Sequence, residues 1–183
     1  MKQRFYQLQV AGCTRELPIL NISDKLAIAG FVILGDVELV TRAAKDLVKK
    51  LPHEADFVMT AETKGIPLAA EVAKNLGHSR YLVARKSVKA YMYNSIWVDD
   101  ESITTKGKQR LYLSEEDVNR IKGKRIILID DVISTGGSMK ALNDLAKKAG
   151  AIVVSQAAIL AEGEAAKRKD IIFLKELPLF DAQ

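Results

Sequence analysis

The chain has 183 residues, 48% of them hydrophobic and 28% charged, an ordinary globular composition and a length that suits one domain burying roughly 70% of its unfolded surface. No apolar run approaches the ~20 residues of a membrane-spanning helix, and a single cysteine, Cys13, rules out an internal disulfide. A formal charge of +5 and a pI near 9.2 suit an anionic partner, but the basic residues are scattered, without zinc-finger spacing, a basic zipper or an aromatic RNA-binding signature, which argues against a nucleic-acid module.

The opening MKQRFYQLQVAG carries Lys2 and Arg4 but no apolar block or cleavage site of a secretory signal, so a cytoplasmic location is expected, in keeping with the lone cysteine. Asp36 is a candidate cap for a helix whose apolar face is Val40, Ala44, Leu47, Val48 and Leu51. Residues 56–60 (DFVMT) form a β-rich apolar run, followed by helical spacing at Leu68, Ala69, Val72, Ala73 and Leu76, with Pro67 in the first turn and Gly77 as the stop. Residues 80–84 (RYLVA) read as the next strand.

Residues 87–113 then make a long connection holding Tyr91, Tyr93, Trp97, the acidic run Asp99-Asp100-Glu101 and the basic Lys106, Lys108 and Arg110. Long connections in compact domains are often lids. Alternation in Ser95–Val98 and Arg110–Leu113 predicts a two-stranded ribbon at its base, and a purely structural hairpin is the alternative.

Residues 125–130 (RIILID) predict a buried strand, Gly137–Ala149 a helix with Met139, Leu142, Leu145 and Ala149 inward, and residues 151–160 a last buried strand. Strand-helix alternation without linker or repeat predicts a single α/β unit over 1–183 with a doubly wound, mostly parallel sheet. Ligands of such sheets sit beyond the carboxyl ends of the strands.

The stretch from Ile126 to Ser138 (IILIDDVISTGGS) concentrates chemistry at one such end. Asp130 and Asp131 can accept hydrogen bonds from vicinal sugar hydroxyls. Ser134, Thr135 and Ser138 can donate to phosphate oxygens, and Gly136 and Gly137 let an anion approach free N–H groups where the next helix begins. Together they suit a ribose phosphate. The plainer alternative is a polar strand end with solvated carboxylates and a helix-capping hydroxyl, which explains each feature singly but not the set. A Walker loop is excluded because no Gly-Lys-Ser/Thr follows the turn, and a Rossmann fingerprint because no G-x-G-x-x-G occurs. A flavin phosphate loop should follow the first strand and has no use for the acidic pair.

These thirteen residues resemble the phosphoribosyl-pyrophosphate (PRPP) signature of the type I phosphoribosyltransferases. The resemblance implies that Asp130 and Asp131 hold the ribose hydroxyls close to a diphosphate-bound magnesium, in an indirect role toward the metal, while Ser134, Thr135, Gly136, Gly137 and Ser138 cradle the 5′-phosphate. Glu62-Thr63-Lys64-Gly65, at the end of the DFVMT strand, resembles the family's pyrophosphate loop; alone it would read as a connection with a solvated lysine. Arg85, Lys86 and Lys89 would add positive charge for the leaving group, so Lys64, Arg85, Asp130 and Asp131 are the expected catalytic set.

By the same resemblance, residues 87–113 form a flexible lid, and residues 1–35 with about 160–183 form a small hood over the base. Val132, Ile133, Leu160 and Glu162 are candidate base contacts; Ala161 and Phe173 lie nearby, Phe173 in a run better suited to core. Magnesium, PRPP and a purine base are the implied cofactor and substrates, with a homodimer and no nucleic-acid or membrane partner.

Ser134 stands where hypoxanthine-guanine enzymes carry an aspartate, which favours adenine. However, Thr105 falls where adenine enzymes place a lid glutamate, and Glu101 is the substitute. Some archaeal hypoxanthine-type relatives also carry serine at the Ser134 position. The readings are a purine phosphoribosyltransferase, adenine favoured, with a hypoxanthine/guanine enzyme or a non-catalytic PRPP sensor as alternatives. Sensors of this fold usually add a DNA-binding domain, for which the segment before residue 36 is short.

Overall fold

The computed structural model describes residues 3–100 and 109–183. Its centre is a five-stranded sheet built from β4 (Phe57–Ala61), β5 (Leu82–Ala84), β8 (Arg125–Ile133), β9 (Ile152–Glu162) and β10 (Ile172–Leu177). Their order is β10-β9-β8-β4-β5 and every pairing is parallel. Numbered by their own succession this is 5-4-3-1-2, the doubly wound arrangement in which the chain reverses direction between the first and third strands. That switch point lies between β4 and β8.

The apolar runs are continuous because the sheet is covered on both sides. Along β8 the pleat alternates side chains: Ile127 and Ile129 pack on the side of α1 (Val37–Val48) and α2 (Ile66–Asn75), whereas Ile126 and Leu128 pack on the side of α4 (Gly137–Lys148) and Ile121 of α3 (Glu115–Ile121). All four are fully buried. β8 and β9 run further than the sequence suggests. β8 continues in register past the acidic pair to Ile133, paired with Ala161, so Asp130 and Asp131 lie within the strand instead of ending it. The helix α3 is absent from the sequence-level prediction; Ser114 caps it by accepting from the Asp117 N–H at 3.2 Å, and Glu115, Glu116 and Asp117 suit its positive end.

A second sheet, β1-β2-β3-β11, comes from both ends of the chain: β1 (Phe5–Val10), β2 (Cys13–Asn21), β3 (Leu26–Ala29) and β11 (Phe180–Asp181). Ala11 and Gly12 turn between β1 and β2 with φ of 51° and 71°, the two-residue left-handed turn whose twist matches paired strands. Leu8, Val10, Cys13 and Leu17 share a core with α1.

Asp36 locks the two together. It caps α1 by accepting from the Leu39 N–H at 3.1 Å and grips the Arg15 guanidinium at 2.7 and 2.9 Å, and this fork holds its carboxyl below the usual range. Substituting Asp36→Ala removes cap and clamp together. A loss of about 1–2 kcal/mol in urea-induced unfolding is expected, whereas a merely exposed carboxylate would leave the midpoint unchanged.

The ribbon predicted at the base of the long connection is formed by β6 (Ile96–Asp100) and β7 (Gln109–Leu113), with Trp97 opposite Tyr112. Tyr112 exchanges backbone hydrogen bonds with Arg85 at 2.9 and 2.8 Å, tying the ribbon to the end of β5. The Arg110 guanidinium stacks 3.8 Å from the Trp97 ring centroid, and Lys148 of α4 donates to the Trp97 carbonyl at 2.9 Å. Glu101, Thr105, Lys106 and Lys108 lie outside the described residues. Among the described residues, no helix is long and apolar enough to cross a membrane.

Candidate active site

At the switch point the loops after β4 and β8 diverge, leaving a cleft of about 390 Å³, within the range of small-molecule sites. Its floor is Asp130 to Ser138. One wall is Glu62, Thr63, Lys64 and Lys86, and the other is Glu162, Leu177 and the segment Ile28 to Phe31.

The turn after β8 reaches α4 through Gly136, whose φ of 84° is left-handed and whose carbonyl accepts the first helical bond from Lys140 at 2.8 Å. No side chain caps α4, so the N–H groups of its first turn face the cleft as an anion-binding end. Ser134, Thr135 and Ser138 stand beside them.

The two aspartates differ. Asp131 is buried and its Oδ2 lies 2.8 Å from Lys64 Nζ, bridging the β8 and β4 loops. Asp130 is partly exposed and accepts from the Asp131 N–H at 2.8 Å. Burial and the negative charge of Asp131 push the Asp130 carboxyl well above the usual carboxylate range. Glu162, at the end of β9, is raised as well, by burial, with Lys64 partly opposing the shift. Lys64 thus faces two of the cleft's acidic groups, Asp131 and Glu162.

The β4 loop reaches this position because residue 65 is glycine: a Cβ there would collide with the Thr60 hydroxyl and come within 3.4 Å of Asp130 Oδ1. The Glu62–Thr63 peptide in the same loop is cis.

Several expected site residues take other places. Leu160 is fully buried in the core and does not line the cleft; Glu162, two residues on and on the same face of the strand, does, because β9 ends there at the rim of the cleft. Arg85 turns to Glu62, Nη2 to Oε1 at 3.1 Å, and is absent from the cleft lining. Glu62 is correspondingly occupied: its other oxygen accepts from the Lys86 N–H at 2.8 Å. This clamp directs Lys86 to the cleft in place of Arg85. Lys89 lies outside the cleft, its Nζ donating to Ser87 Oγ at 2.6 Å. Gly65 acts through the close approach described above.

Sequence reasoning missed Ile28, Ala29, Gly30 and Phe31 as cleft residues, and Asp100 and Met139 with them. Gly30 was the one available signal, since a Cβ there would press on Leu20 and Pro18.

A parallel sheet with an amide-rich turn and a buried acid-lysine pair at its switch point has the layout of an α/β site for an anionic ligand. The phosphoribosyl transferase domain model matches residues 34–180, and the chain belongs to that family: it is a phosphoribosyltransferase. Among curated relatives, a hypoxanthine/guanine phosphoribosyltransferase of Methanococcus voltae is 30% identical over 156 residues, covering 85% of this chain and 76% of the relative. The adenine phosphoribosyltransferase of Thermoanaerobacter pseudethanolicus superposes with a TM-score of 0.66 at 25% identity, over 79% of this chain and 84% of that one. The adenine enzyme of Trypanosoma brucei, solved with AMP, pyrophosphate and ribose-5-phosphate, shares the fold with a TM-score of 0.62 at 21% identity, over 79% of this chain and 67% of that one.

Proposed function

We propose that the chain transfers phosphoribose from PRPP to a purine, adenine first, releasing pyrophosphate. The observation that carries this reading is the convergence, in one cleft, of the uncapped start of α4 with Asp130, Asp131 and Lys64. The 5′-phosphate sits on the turn from Ser134 to Ser138, and the ribose hydroxyls donate to Asp130, with Asp131 alongside. Lys64 and Lys86 face the diphosphate.

The aspartates also stabilise positive charge on the ribose ring as the glycosidic carbon loses its diphosphate and the base nitrogen bonds to it. No protein nucleophile is needed, because orientation and charge stabilisation suffice for such a transfer.

Among the described residues no group of three acidic, histidine or cysteine side chains could hold a metal by itself. Asp130 and Asp131 fit an indirect role toward a magnesium ion carried by the diphosphate oxygens. Bound there, the ion neutralises charge on the leaving group.

The base enters between Ile28–Phe31 and Val132–Ile133, with Glu162 near its edge. A carboxylate accepts hydrogen bonds, which suits the amino group of adenine better than the carbonyl of a 6-oxopurine. The segments around β3 and β11 act as the hood and the β6–β7 ribbon carries the lid. In a homodimer, Lys89, which lies outside this cleft, serves the neighbouring copy.

The relative from Methanococcus voltae, a hypoxanthine/guanine phosphoribosyltransferase, favours the second reading, hypoxanthine or guanine as acceptor. Incubation with PRPP, magnesium and, in turn, adenine, hypoxanthine, guanine, xanthine and orotate decides between them. AMP formation is expected. IMP or GMP in its place selects the second reading, and no product with any base refutes both.

A further inference from the structure

The turn from Ser134 to Ser138 has a cationic neighbour that no sequence motif marks. Arg168 follows the 3₁₀ turn Gly163–Lys167 at the end of β9, and its backbone N–H donates to the Ala165 carbonyl at 3.1 Å. Its guanidinium is held from one side only. Nε and Nη2 engage the two carboxylate oxygens of Asp170 at 2.9 and 2.7 Å. That fork fixes the plane of the group and sends Nη1 the other way, toward Gly136. A Cβ built on Gly136 would stand 3.0 Å from Nη1, so the arginine occupies the space that the absent side chain leaves open. Gly136 is thus required twice, by its left-handed φ of 84° and by this approach.

From this geometry we infer that Arg168 is a further phosphate-recognising residue, whose Nη1 edge adds a fixed positive charge beside the amide-rich start of α4 for the terminal phosphate of the sugar substrate. The inference rests on the ribose-phosphate reading of the cleft. The turn supplies N–H groups and hydroxyls but no formal charge of its own, and Lys64 and Lys86 stand on the opposite wall, toward the diphosphate. A phosphate monoester carries close to two negative charges near neutral pH. A guanidinium pinned by Asp170 meets that charge without first losing the side-chain freedom of a solvated arginine. Its side chain is one-third exposed, and it stands behind Gly136, just beyond the residues that line the cleft itself.

Titration of ribose 5-phosphate into the wild-type chain, Arg168→Met and Arg168→Lys, followed calorimetrically, tests this. Wild-type binding must be seen first; its absence refutes the ribose-phosphate reading itself, and the inference with it. Given wild-type binding, Arg168→Met is expected to weaken the complex by about tenfold and to raise KM for PRPP by a similar factor, with a smaller change in kcat. Arg168→Lys, which keeps the charge but loses the fork to Asp170, should retain part of the affinity and bind more tightly than Arg168→Met. Wild-type affinity in Arg168→Met overturns the inference. So does an equal loss in both variants accompanied by a lower melting temperature, which would reduce Arg168 to a packing residue over Gly136.

Discussion

Replacing Lys64 with methionine is expected to lower turnover by about 10²–10³-fold and to destabilise the folded chain by about 1–3 kcal/mol. Both effects come from one contact. Asp131 is buried and its counter-charge is the Lys64 ammonium at 2.8 Å, while the lysine is half exposed, its stem spanning from the β4 loop to β8. Methionine keeps the stem and removes the charge, leaving a buried carboxylate unpaired. The partial exposure of Lys64 admits water and puts the stability loss below that of a fully enclosed pair.

A second substitution separates the two roles. Asp131→Asn in the Lys64→Met background removes the orphaned charge and should restore stability, but not turnover, because diphosphate still lacks its lysine. Recovery of both would confine the pair to a structural role. Denaturant unfolding and initial rates on the single and double variants measure this directly.

Asp130→Asn is expected to act in opposite directions on stability and binding. The Asp130 carboxyl is raised well above the ordinary carboxylate value by burial and by its charged neighbour Asp131. Its folded-state pKa therefore exceeds the unfolded value of about 4, so the folded chain holds the proton more tightly than the unfolded one. The stability contributed by the protonated group is present below the unfolded pKa and is lost as pH rises through the folded pKa. Asparagine has no such loss, and the variant should exceed the wild type in stability near neutral pH, the gap closing on acidification.

Binding runs the other way. An ionised Asp130 accepts from two sugar hydroxyls, whereas an amide oxygen accepts without charge, so ribose 5-phosphate affinity should drop by about 10²-fold. Destabilising charge held at a ligand site is the trade between stability and function common in enzymes. An Asp130→Asn variant that binds normally, or that is less stable at neutral pH, contradicts this account.

The parts of this molecule that were legible from sequence are those where chemistry and periodicity coincide locally. RIILID reads as buried on both faces, and so does the run 151–160, of which Ala157 to Leu160 are buried while Ile152 to Gln156 are partly exposed; the parallel sheet follows from such apolar runs alternating with amphipathic helices. The Asp36 cap and the Gly136 turn are likewise local signals, a side-chain acceptor before a helix and a residue tolerant of positive φ. The ribbon at Trp97 and Tyr112 was readable from its alternation.

What escaped depends on distant partners. The β1–β2 hairpin turns at Ala11-Gly12, which lacks the Asn-Gly or Asp-Gly signature of such turns, and its sheet is completed by Phe180 from the far end of the chain. Ile28 to Phe31 reach the cleft only because that sheet forms. Helix α3 is short, seven residues, and its apolar face too brief to register as a period. Arg85 and Lys86 could not be ranked from sequence, since the choice between them is made by Glu62, more than twenty positions away. Leu160 and Glu162 differ in exposure because β9 ends at Glu162, and strand ends are poorly marked by composition.

In the proposed complex a sugar's terminal phosphate docks on the start of α4 while its diol faces Asp130. Amide NMR of the isotope-labelled chain, titrated with ribose 5-phosphate and then with 2-deoxyribose 5-phosphate, examines both contacts at once. The N–H signals of Thr135 to Ser138 are expected to move on titration with either sugar, and the deoxy sugar, lacking one hydroxyl for Asp130, to bind several-fold more weakly. Unmoved signals in that turn at saturating ribose 5-phosphate, or equal affinity for the two sugars, would contradict that complex.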